Sequence, residues 1–260
     1  MKFVPKELPD DVADISAGRS GWKEWAKNIA FVLGFLLLVW IALGFVADTT
    51  AGAISDEQEA TWFRDFKVGE RPDSDPAFQT AQAIFDKLLK QDGLRQLPYE
   101  LRLLKSPQPN AFAVPGGSVV VTTALLKSVQ NERSLAFVLG HELGHHQHRH
   151  ALKRMGRSLI YRAALAISFG DGGAGYALDS TVKAGEASFS RSQERESDVF
   201  GMNLVFKAYG RVDGSLDFFE QLLTWEGGKS TKLDPFASHP LTSERLEELK
   251  KLQATYATKK

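Results

Sequence analysis

The sequence predicts a mainly helical α+β domain with a small β-sheet, preceded by one transmembrane helix. Two helical patterns, over 131–145 and 190–206, predict helices, and two short segments predict a sheet: 99–104, which alternates in polarity, and 118–123, which is β-branched. An uncharged apolar segment over 28–47 predicts the membrane helix. No internal repeat is visible in the sequence, so the remaining chain of about 200 residues suits one domain with a sizeable core.

The first part of the chain is predicted to form an arm, an anchor and a linker. Residues 1–27 mix acids, bases and prolines and are expected to form a flexible arm. A helix over 28–47 would be about 30 Å long, at about 1.5 Å per residue, which matches the hydrocarbon core of a bilayer. Trp22 and Trp25 suit its interface with water. The acidic and small residues of 48–60 predict a short linker.

The charges around the apolar segment predict its orientation. Arg19, Lys23 and Lys27 precede it, whereas no Lys or Arg follows it before Arg64. The positive-inside rule therefore places the arm in the cytoplasm and the rest of the chain outside it, which in a bacterium is the periplasm. A cleaved signal peptide is the alternative, because residues 51–53 (Ala-Gly-Ala) resemble a cleavage site. An uncleaved, single-pass anchor in the bacterial inner membrane is favoured, since the apolar segment exceeds the usual signal length.

Composition limits the chemistry that the chain can use. It has no cysteine, so disulfides and thiolate metal ligands are excluded. Its 32 basic and 32 acidic residues give a net charge of zero, so nothing predicts nucleic-acid binding. Any metal site must therefore be built from histidine and carboxylate side chains.

Local signals place the first elements of the domain expected over 61–260. Asp75 and Pro76 predict a helix start, as N-cap and first helical residue. A strand over 99–104 is predicted to pair with a second strand over 118–123. Helices then predominate toward the C-terminus.

The H-E-x-x-H motif over 141–145 carries the clearest chemistry. It lies on a predicted helix for which Asn131 is the N-cap. His141 and His145 are four residues apart and share a face, so both can bind one metal ion. Glu142 is rotated by about 100° and can reach a water at the metal without binding the metal itself. This spacing is typical of a zinc hydrolase, with a chance match on a solvated helix as the alternative.

A second motif supplies candidates for the third metal ligand. Glu194 and Asp198 are four residues apart on a helix whose second half is apolar, so they share a face. Glu194 is predicted to bind the metal, and Asp198 is predicted to accept the ring N–H of a ligand histidine. Glu196 is the second choice for the ligand. The alternative is a solvated charged face, in which these carboxylates pair with Arg191 and Arg195.

Several blocks of the chain, in order, resemble the zinc metallopeptidase family that includes the HtpX-type membrane proteases and the CAAX prenyl proteases, peptidase family M48. The resemblance covers roughly residues 60–250. It implies a zincin-like metallopeptidase domain with one zinc ion per chain. Ser197, where the family usually has alanine, is a small departure. The matching blocks are Asn110–Gly117, Leu139–His145, Glu194–Asp198, and Ser238–Pro240 with Glu244–Arg245.

The resemblance implies a role for each matching site residue. His141, His145 and Glu194 would bind zinc, with Asp198 beside a ligand histidine, and the motif glutamate would act as the catalytic general base. His239 would either donate a catalytic hydrogen bond to the oxyanion or cap the zinc in a latent state.

The block N-A-F-A-x-P-G-G over 110–117 implies a substrate-binding edge. An exposed edge in the following strand, 118–123, could hold an extended peptide as an added strand, with a buried structural strand as the alternative. The residues expected to contact substrate are Asn110, Ala111, Phe112, Ala113, Gly116 and Gly117.

Two further segments receive structural interpretations. His146 and His150 are also four residues apart but on another face, and with the neighbouring Arg149 they are interpreted as a surface basic stretch, with a second metal site as the alternative. The apolar segment 158–169 is interpreted as a core helix, with a cover for the cleft or a membrane-docking helix as alternatives. A loop is predicted over 170–175.

The chain is therefore predicted to be a membrane-anchored zinc endopeptidase. It would hydrolyse peptide bonds of unfolded or damaged membrane and envelope proteins by Glu142-assisted attack of a water activated by zinc. A single span argues against processing of lipidated peptides. The alternative is a latent or non-proteolytic, zinc-stabilised assembly or scaffold factor of the cell envelope. No particular adaptor or oligomeric state is predicted.

Overall fold

The computed structural model describes residues 22–169, 189–225 and 239–257, with the backbone alone over 165–169 and at Trp225 and Ala257. The chain divides into two units, Met1–Gly44 and Phe45–Lys260. The described part of the first unit is helical, and the second unit holds the sheet and all later helices. The predicted class, mainly helical with a small mixed sheet, is confirmed.

The first helix, α1 (Trp22–Ala53), contains the predicted transmembrane segment. It is long and apolar enough to cross a membrane. Most of its large apolar side chains between Ile29 and Phe45 are exposed, which suits a helix that faces lipid and does not suit the core helix of a soluble protein. Residues 22–27, expected to belong to the arm, form the first turns of α1, and the rest of that arm lies outside the described residues.

The segment over 48–60, predicted as a linker, is largely helical. Helix α1 continues to its end at Ala53, and α2 (Asp56–Trp62) follows with Ser55 as its N-cap. Ala51 and Glu59 are only 3% and 1% exposed, so the segment packs into the second unit. The linker interpretation fails because the small residues allow close packing and the acidic residues stabilise a helix N-terminus.

The remaining elements follow in the predicted order. Asp75 accepts hydrogen bonds from the backbone N–H groups of the next helix, and Asn131 caps the helix that carries the H-E-x-x-H motif. Both predicted helix starts are confirmed. The elements are α3 (Pro76–Leu89), β1 (Glu100–Leu104), β2 (Ala111–Val114), β3 (Ser118–Thr122), α4 (Thr123–Ser128), α5 (Glu132–Gln147), α6 (His150–Phe169), α7 (Arg191–Tyr209), α8 (Asp217–Trp225) and α9 (Ser243–Ala257).

The three strands form a mixed sheet in the order β1-β3-β2. The predicted pairing is confirmed, with Glu100 opposite Ser118 in parallel register, and β2 runs antiparallel to β3. The exposed edge predicted over 118–123 is wrong, because β3 is the central strand and all of its residues are buried. Both β1 and β2 are edge strands, but Glu70 exchanges two backbone hydrogen bonds with Leu103 of β1, so among the described strands the open edge is that of β2.

Helices α5 and α7 cross at very short range because glycine lies at the crossing. A Cβ on Gly144 would lie 2.8 Å from Cα of Ser197, and a Cβ on Gly201 would lie 2.7 Å from the backbone nitrogen of His141. Larger residues at these glycines would force the helices apart. The small residues therefore bring the carboxylates of α7 next to the imidazoles of α5.

Two histidines that were interpreted as a surface stretch are buried. His146 and His150 are 2% and 1% exposed. His146 Nε2 lies 3.1 Å from the carbonyl oxygen of Ser118 and donates to it, which ties α5 to the sheet. Burial lowers the pKa of His146 to about 4, so its ring is neutral. The surface interpretation was wrong because spacing along a helix does not reveal which element covers a given face.

Helix α6 is less buried than its interpretation as a core helix implies. Residues 158–164 are half-buried or exposed, and Leu159 is 54% exposed. The core-helix interpretation is therefore wrong for this part of α6, because none of the residues 158–164 is fully buried. The loop predicted over 170–175 lies outside the described residues.

Candidate metal centre

Four side chains from separate parts of the chain converge on one buried point. His141 and His145 lie on α5, Glu194 lies in the first turn of α7, and His239 precedes α9. One potential ligand atom from each lies within 4.8 Å of all the others. The fold thus brings together the motif histidines, the glutamate proposed as third ligand and the distant His239.

The separations between these atoms are short enough for the four side chains to share one metal ion. Nε2 of His141 is 3.0 Å from Nε2 of His145 and 3.2 Å from Nδ1 of His239. Oε1 of Glu194 is 3.0 Å from Nδ1 of His239 and 3.6 Å from Nε2 of His145. Metal bonds of about 2.0–2.1 Å place neighbouring tetrahedral ligands roughly 3.3–3.4 Å apart. The donor atoms and their spacing therefore suit a metal ion.

The charges around the four side chains favour a cation at this point. Burial opposes protonation of His141, but the carboxylates of Asp198 and Glu194 raise its pKa to about 9. Burial and the adjacent imidazoles hold the pKa of His145 well below its usual value. The site thus attracts positive charge while His145 keeps an unprotonated nitrogen, and a metal ion satisfies both conditions.

Asp198 and Arg245 support the ligand atoms from the side facing α9. Oδ1 of Asp198 lies 2.9 Å from Nδ1 of His141, so the ring is oriented with Nε2 toward the other donors. Arg245 donates to the two oxygens of Asp198 at 3.0 and 2.8 Å, and its Nη1 is 2.6 Å from Oε2 of Glu194. Burial raises the pKa of Asp198, but the charges and hydrogen bonds of Arg245 and His141 together outweigh this and lower it below its ordinary value.

Glu142 lies beside the cluster without joining it. The side chain is 1% exposed, and its Oε1 lies 3.6 Å from Nε2 of His239. Its Oε2 is buried and makes no hydrogen bond within the described part of the chain. A buried carboxylate oxygen with no donor is costly unless another group uses it, so the structural observation favours a chemical task for Glu142.

Two contacts of the cluster were not found from the sequence. The sequence assigned no partner to Arg245, and the structure supplies Asp198 and Glu194. His150, interpreted as a surface residue, places Nδ1 3.0 Å from Nδ1 of His145. The contact of Arg245 had one sequence signal, the pair Glu244-Arg245 that follows His239-Pro240. The contact of His150 with His145 had none.

Glu196, the second choice for the ligand, points away from the four converging atoms. Its side chain is 53% exposed, and its Oε2 lies 3.0 Å from Nε2 of His150. The two glutamates lie on different faces of α7, since residues two apart do not share a face. The geometry therefore favours Glu194 over Glu196 as the metal ligand.

The residues expected to contact substrate form β2 and the turn that follows it. Gly116 and Gly117 have φ angles of 91° and 106°, in the left-handed region that favours glycine. The buried carboxylate of Glu59 accepts the N–H of Gly116 at 3.2 Å and fixes this turn. The turn and the strand before it, Ala111–Val114, are thereby held as one rigid edge.

The fold and the donor set define a metallopeptidase domain. The sequence profile described as "Peptidase family M48" matches residues 77–253, more than half of the chain. The chain therefore belongs to peptidase family M48, and the predicted resemblance to that family is confirmed.

Curated relatives agree with this membership. The Escherichia coli "Metalloprotease YcaL" is 32% identical over 159 residues, which cover 59% of this chain and 61% of that protein. The Schizosaccharomyces pombe "Mitochondrial metalloendopeptidase OMA1" is 25% identical over 190 residues, covering 70% of this chain and 56% of that protein. The Yersinia pestis "Beta-barrel assembly-enhancing protease" is 26% identical over 218 residues, which cover 77% of this chain and 45% of that protein. The chain spans about half the length of the curated relatives it matches.

Proposed function

We propose that this chain is a membrane-anchored zinc endopeptidase. The observation that carries the proposal is the convergence of His141, His145 and Glu194, with Glu142 buried beside them. Three imidazoles and a carboxylate, without cysteine, are ligands that zinc accepts in tetrahedral sites. When bound, zinc would lower the pKa of a water toward about 7 and polarise the substrate carbonyl.

Glu142 is the residue that moves protons in this proposal. Its unpartnered Oε2 accepts a proton from the attacking water, and the same carboxyl group then gives that proton to the leaving amine. Asp198 and Arg245 keep the rings and the Glu194 carboxylate in place during these steps. The buried surroundings exclude other water and strengthen these interactions.

His239 is proposed to cap the site in the described conformation. Its Nδ1 stands where a fourth ligand would, 3.0 Å from Glu194 and 3.2 Å from His141. Four protein ligands are typical of closed structural sites, whereas catalytic sites keep one position open. This closed arrangement favours a latent enzyme, in which the His239 ring must withdraw before water can enter.

Replacing His239 with alanine tests the cap. If the capped form is favoured by about 1.4 kcal/mol, His239→Ala should raise peptide turnover about tenfold, because the open fraction limits the rate. Turnover is measured with an unfolded casein and the zinc-loaded full-length chain in detergent micelles. A fall in turnover of about 100-fold would instead assign His239 to the oxyanion, in the range reported for a single donor.

Substrate is proposed to add to the open edge of β2. In the antiparallel pairing with β3, the N–H of Thr122 donates to the carbonyl of Asn110. Every second residue of β2 after Asn110 therefore bonds to β3, beginning with Phe112. The peptide groups of Ala111 and Ala113 then face away from β3, free for an extended chain. Such an edge binds backbone more than side chains, which suits unfolded or damaged protein substrates.

The membrane location is proposed from α1 and from the residues that follow it. Helix α1 would anchor the chain in a bacterial inner membrane with the second unit in the periplasm, in line with the charges that flank it. Ala51, in the segment that resembles a signal cleavage site, is buried, and Arg149 donates to its carbonyl oxygen. Packing of this segment into the second unit supports an anchor that is retained.

Metal removal tests the function itself. Chelation of the full-length chain should abolish casein cleavage, and one equivalent of Zn²⁺ per chain should restore it, because each catalytic step depends on the cation. The assay includes His239→Ala, so that a latent site does not hide activity. Zinc binding without cleavage by either form would favour the scaffold alternative, and cleavage that survives chelation would contradict the proposal.

A further inference from the structure

A buried chain of hydrogen bonds runs from the proposed ligand His145 to the surface of α7. His145 Nδ1 lies 3.0 Å from Nδ1 of His150. The other ring nitrogen of His150, Nε2, lies 3.0 Å from Oε2 of Glu196. His145 and His150 are 0% and 1% exposed as side chains, whereas Glu196 is 53% exposed.

Only one arrangement of protons satisfies these contacts together with a metal at His145. A metal takes the lone pair of His145 Nε2, so the ring proton must be on Nδ1, which donates to His150. His150 then accepts at Nδ1 and carries its own proton on Nε2. That proton is donated to Glu196, an ionised acceptor, and such charge-assisted hydrogen bonds are the stronger ones.

From this geometry we infer that His150 and Glu196 are positioning residues for the metal, acting through His145. A ligand histidine usually gives its second ring nitrogen to a carboxylate or a carbonyl, as His141 does with Asp198. For His145 the acceptor is a second imidazole, which is itself held by a carboxylate. The inference rests on the proposed function, since it takes His145 as a metal ligand.

The backbone at the α5–α6 corner is shaped to present His150 in this way. Arg149, between the two helices, has a φ of 58° and is the one non-glycine residue with positive φ in the described part of the chain. Its guanidinium donates to the carbonyl oxygens of Ala51 and Ile54 and to Asp56 Oδ1, which hold the unfavourable conformation. The sharp turn lets His150 reach back to His145, five residues earlier.

Ser197 makes a further contact with the same nitrogen. Its Oγ is 3.4 Å from Nδ1 of His150, longer than the 3.0 Å to His145, and Ser197 is fully buried. Because Nδ1 of His150 has one lone pair, the hydroxyl can only share it weakly, at this longer distance, with the N–H of His145. The serine thus favours the acceptor state of His150 Nδ1, which an alanine at this position would not do.

The test measures zinc affinity in the full-length chain in detergent micelles, by competition with a chromophoric chelator. His150→Leu, which removes the acceptor and keeps similar volume, should raise the Kd for Zn²⁺ by about 10–100-fold, the usual loss for such a partner. His150→Asn, whose amide oxygen can replace Nδ1 as acceptor, should recover most of that loss. Glu196→Gln, which keeps an acceptor but loses the charge, should raise Kd by about threefold to tenfold.

Two control variants separate positioning from general stability. His146→Leu also replaces a buried histidine of the same segment, but one that contacts Ser118 instead of the cluster, so it should lower the melting temperature and leave the Kd unchanged. Glu248→Gln matches Glu196→Gln, because the two glutamate side chains are 52% and 53% exposed and Glu248 pairs only with Arg195 among the described contacts. Its Kd should also remain that of the unmodified chain.

The measured Kd values distinguish failure of the positioning role from failure of the proposed function. A wild-type Kd in His150→Leu, with a melting temperature lowered as in His146→Leu, would overturn the positioning role and leave the peptidase intact. If His150→Leu does not fold, Glu196→Gln decides, and an unchanged Kd there overturns the role. If the unmodified chain binds no zinc, both proposals fail together. The absorption spectrum of the Co²⁺-loaded chain supplies a second readout, which His150→Leu should alter and His146→Leu should not.

Discussion

Glu142→Gln should lower peptide turnover by about 10²–10⁴ while zinc affinity and the fold stay unchanged, the range expected for loss of a general base. Glutamine has the same shape and fills the same buried position, but it cannot accept the proton of the attacking water. Glu142 lies outside the four converging ligand atoms, so the metal should remain bound. Turnover of casein and the Kd for Zn²⁺ are measured on the same preparation, in the His239→Ala background.

Glu132→Gln is the matched control for this change. Glu132 lies on the same helix, in its first turn, and its exposed carboxylate accepts a hydrogen bond from Tyr209. Turnover of Glu132→Gln should equal that of the parent. Equal turnover in Glu142→Gln would show that another group takes the proton, and the mechanism proposed here would then have to be abandoned.

Elements marked by local chemistry could be predicted from the sequence. Asp75 and Asn131 are cap residues whose side chains bond the first backbone N–H groups of their own helices, so no distant contact is needed to identify them. The strand that pairs with β1 was also identified, because two short strand-like segments in a mainly helical chain have few alternative partners. Local and global preferences agree at these places.

Features that depend on packing between distant segments could not be predicted. The strand over 118–122 has three consecutive valines, but only its neighbours on both sides show that it is central. His146 and His150 carry no sequence signal of burial, which depends on the sheet in one case and on α7 in the other. Their helical spacing and their basic neighbours therefore assigned them to the surface.

Some residues of the candidate site could likewise be predicted from local sequence, and others could not. His141, Glu142 and His145 follow from helical spacing alone, since their geometry is set within two turns of one helix. His239 comes within 3.2 Å of His141 across 98 positions of sequence, and a lone histidine gives no sign of such a contact. The family resemblance supplied that placement, while the contact between Arg245 and Glu194 needed the structure.

Glu194→Gln should raise the Kd for Zn²⁺ by at least about 100-fold, more than the 10–100-fold loss of a supporting partner, because it removes a proposed ligand itself. The two oxygens of the Glu194 carboxylate make separate contacts, and the neutral amide of glutamine cannot make both. Oε1 lies 3.0 Å from His239 and 3.6 Å from His145, while Oε2 meets the guanidinium of Arg245 at 2.6 Å. Peptide turnover at limiting zinc should fall in parallel.

The stability change must be read as the increment due to zinc, because Glu194→Gln also weakens the buried contact with Arg245 in the metal-free chain. A 100-fold loss of affinity corresponds to about 2.8 kcal/mol less stabilisation at the same saturating zinc concentration. Melting of the full-length chain with and without Zn²⁺ measures that increment.

Glu196→Gln is the matched control, since it makes the same chemical change two residues away. Its zinc-dependent increment in stability should fall much less. If instead Glu196→Gln loses most of the stabilisation by zinc and Glu194→Gln keeps it, the ligand is Glu196. Helix α7 must then be rotated about its axis in the metal-loaded protein.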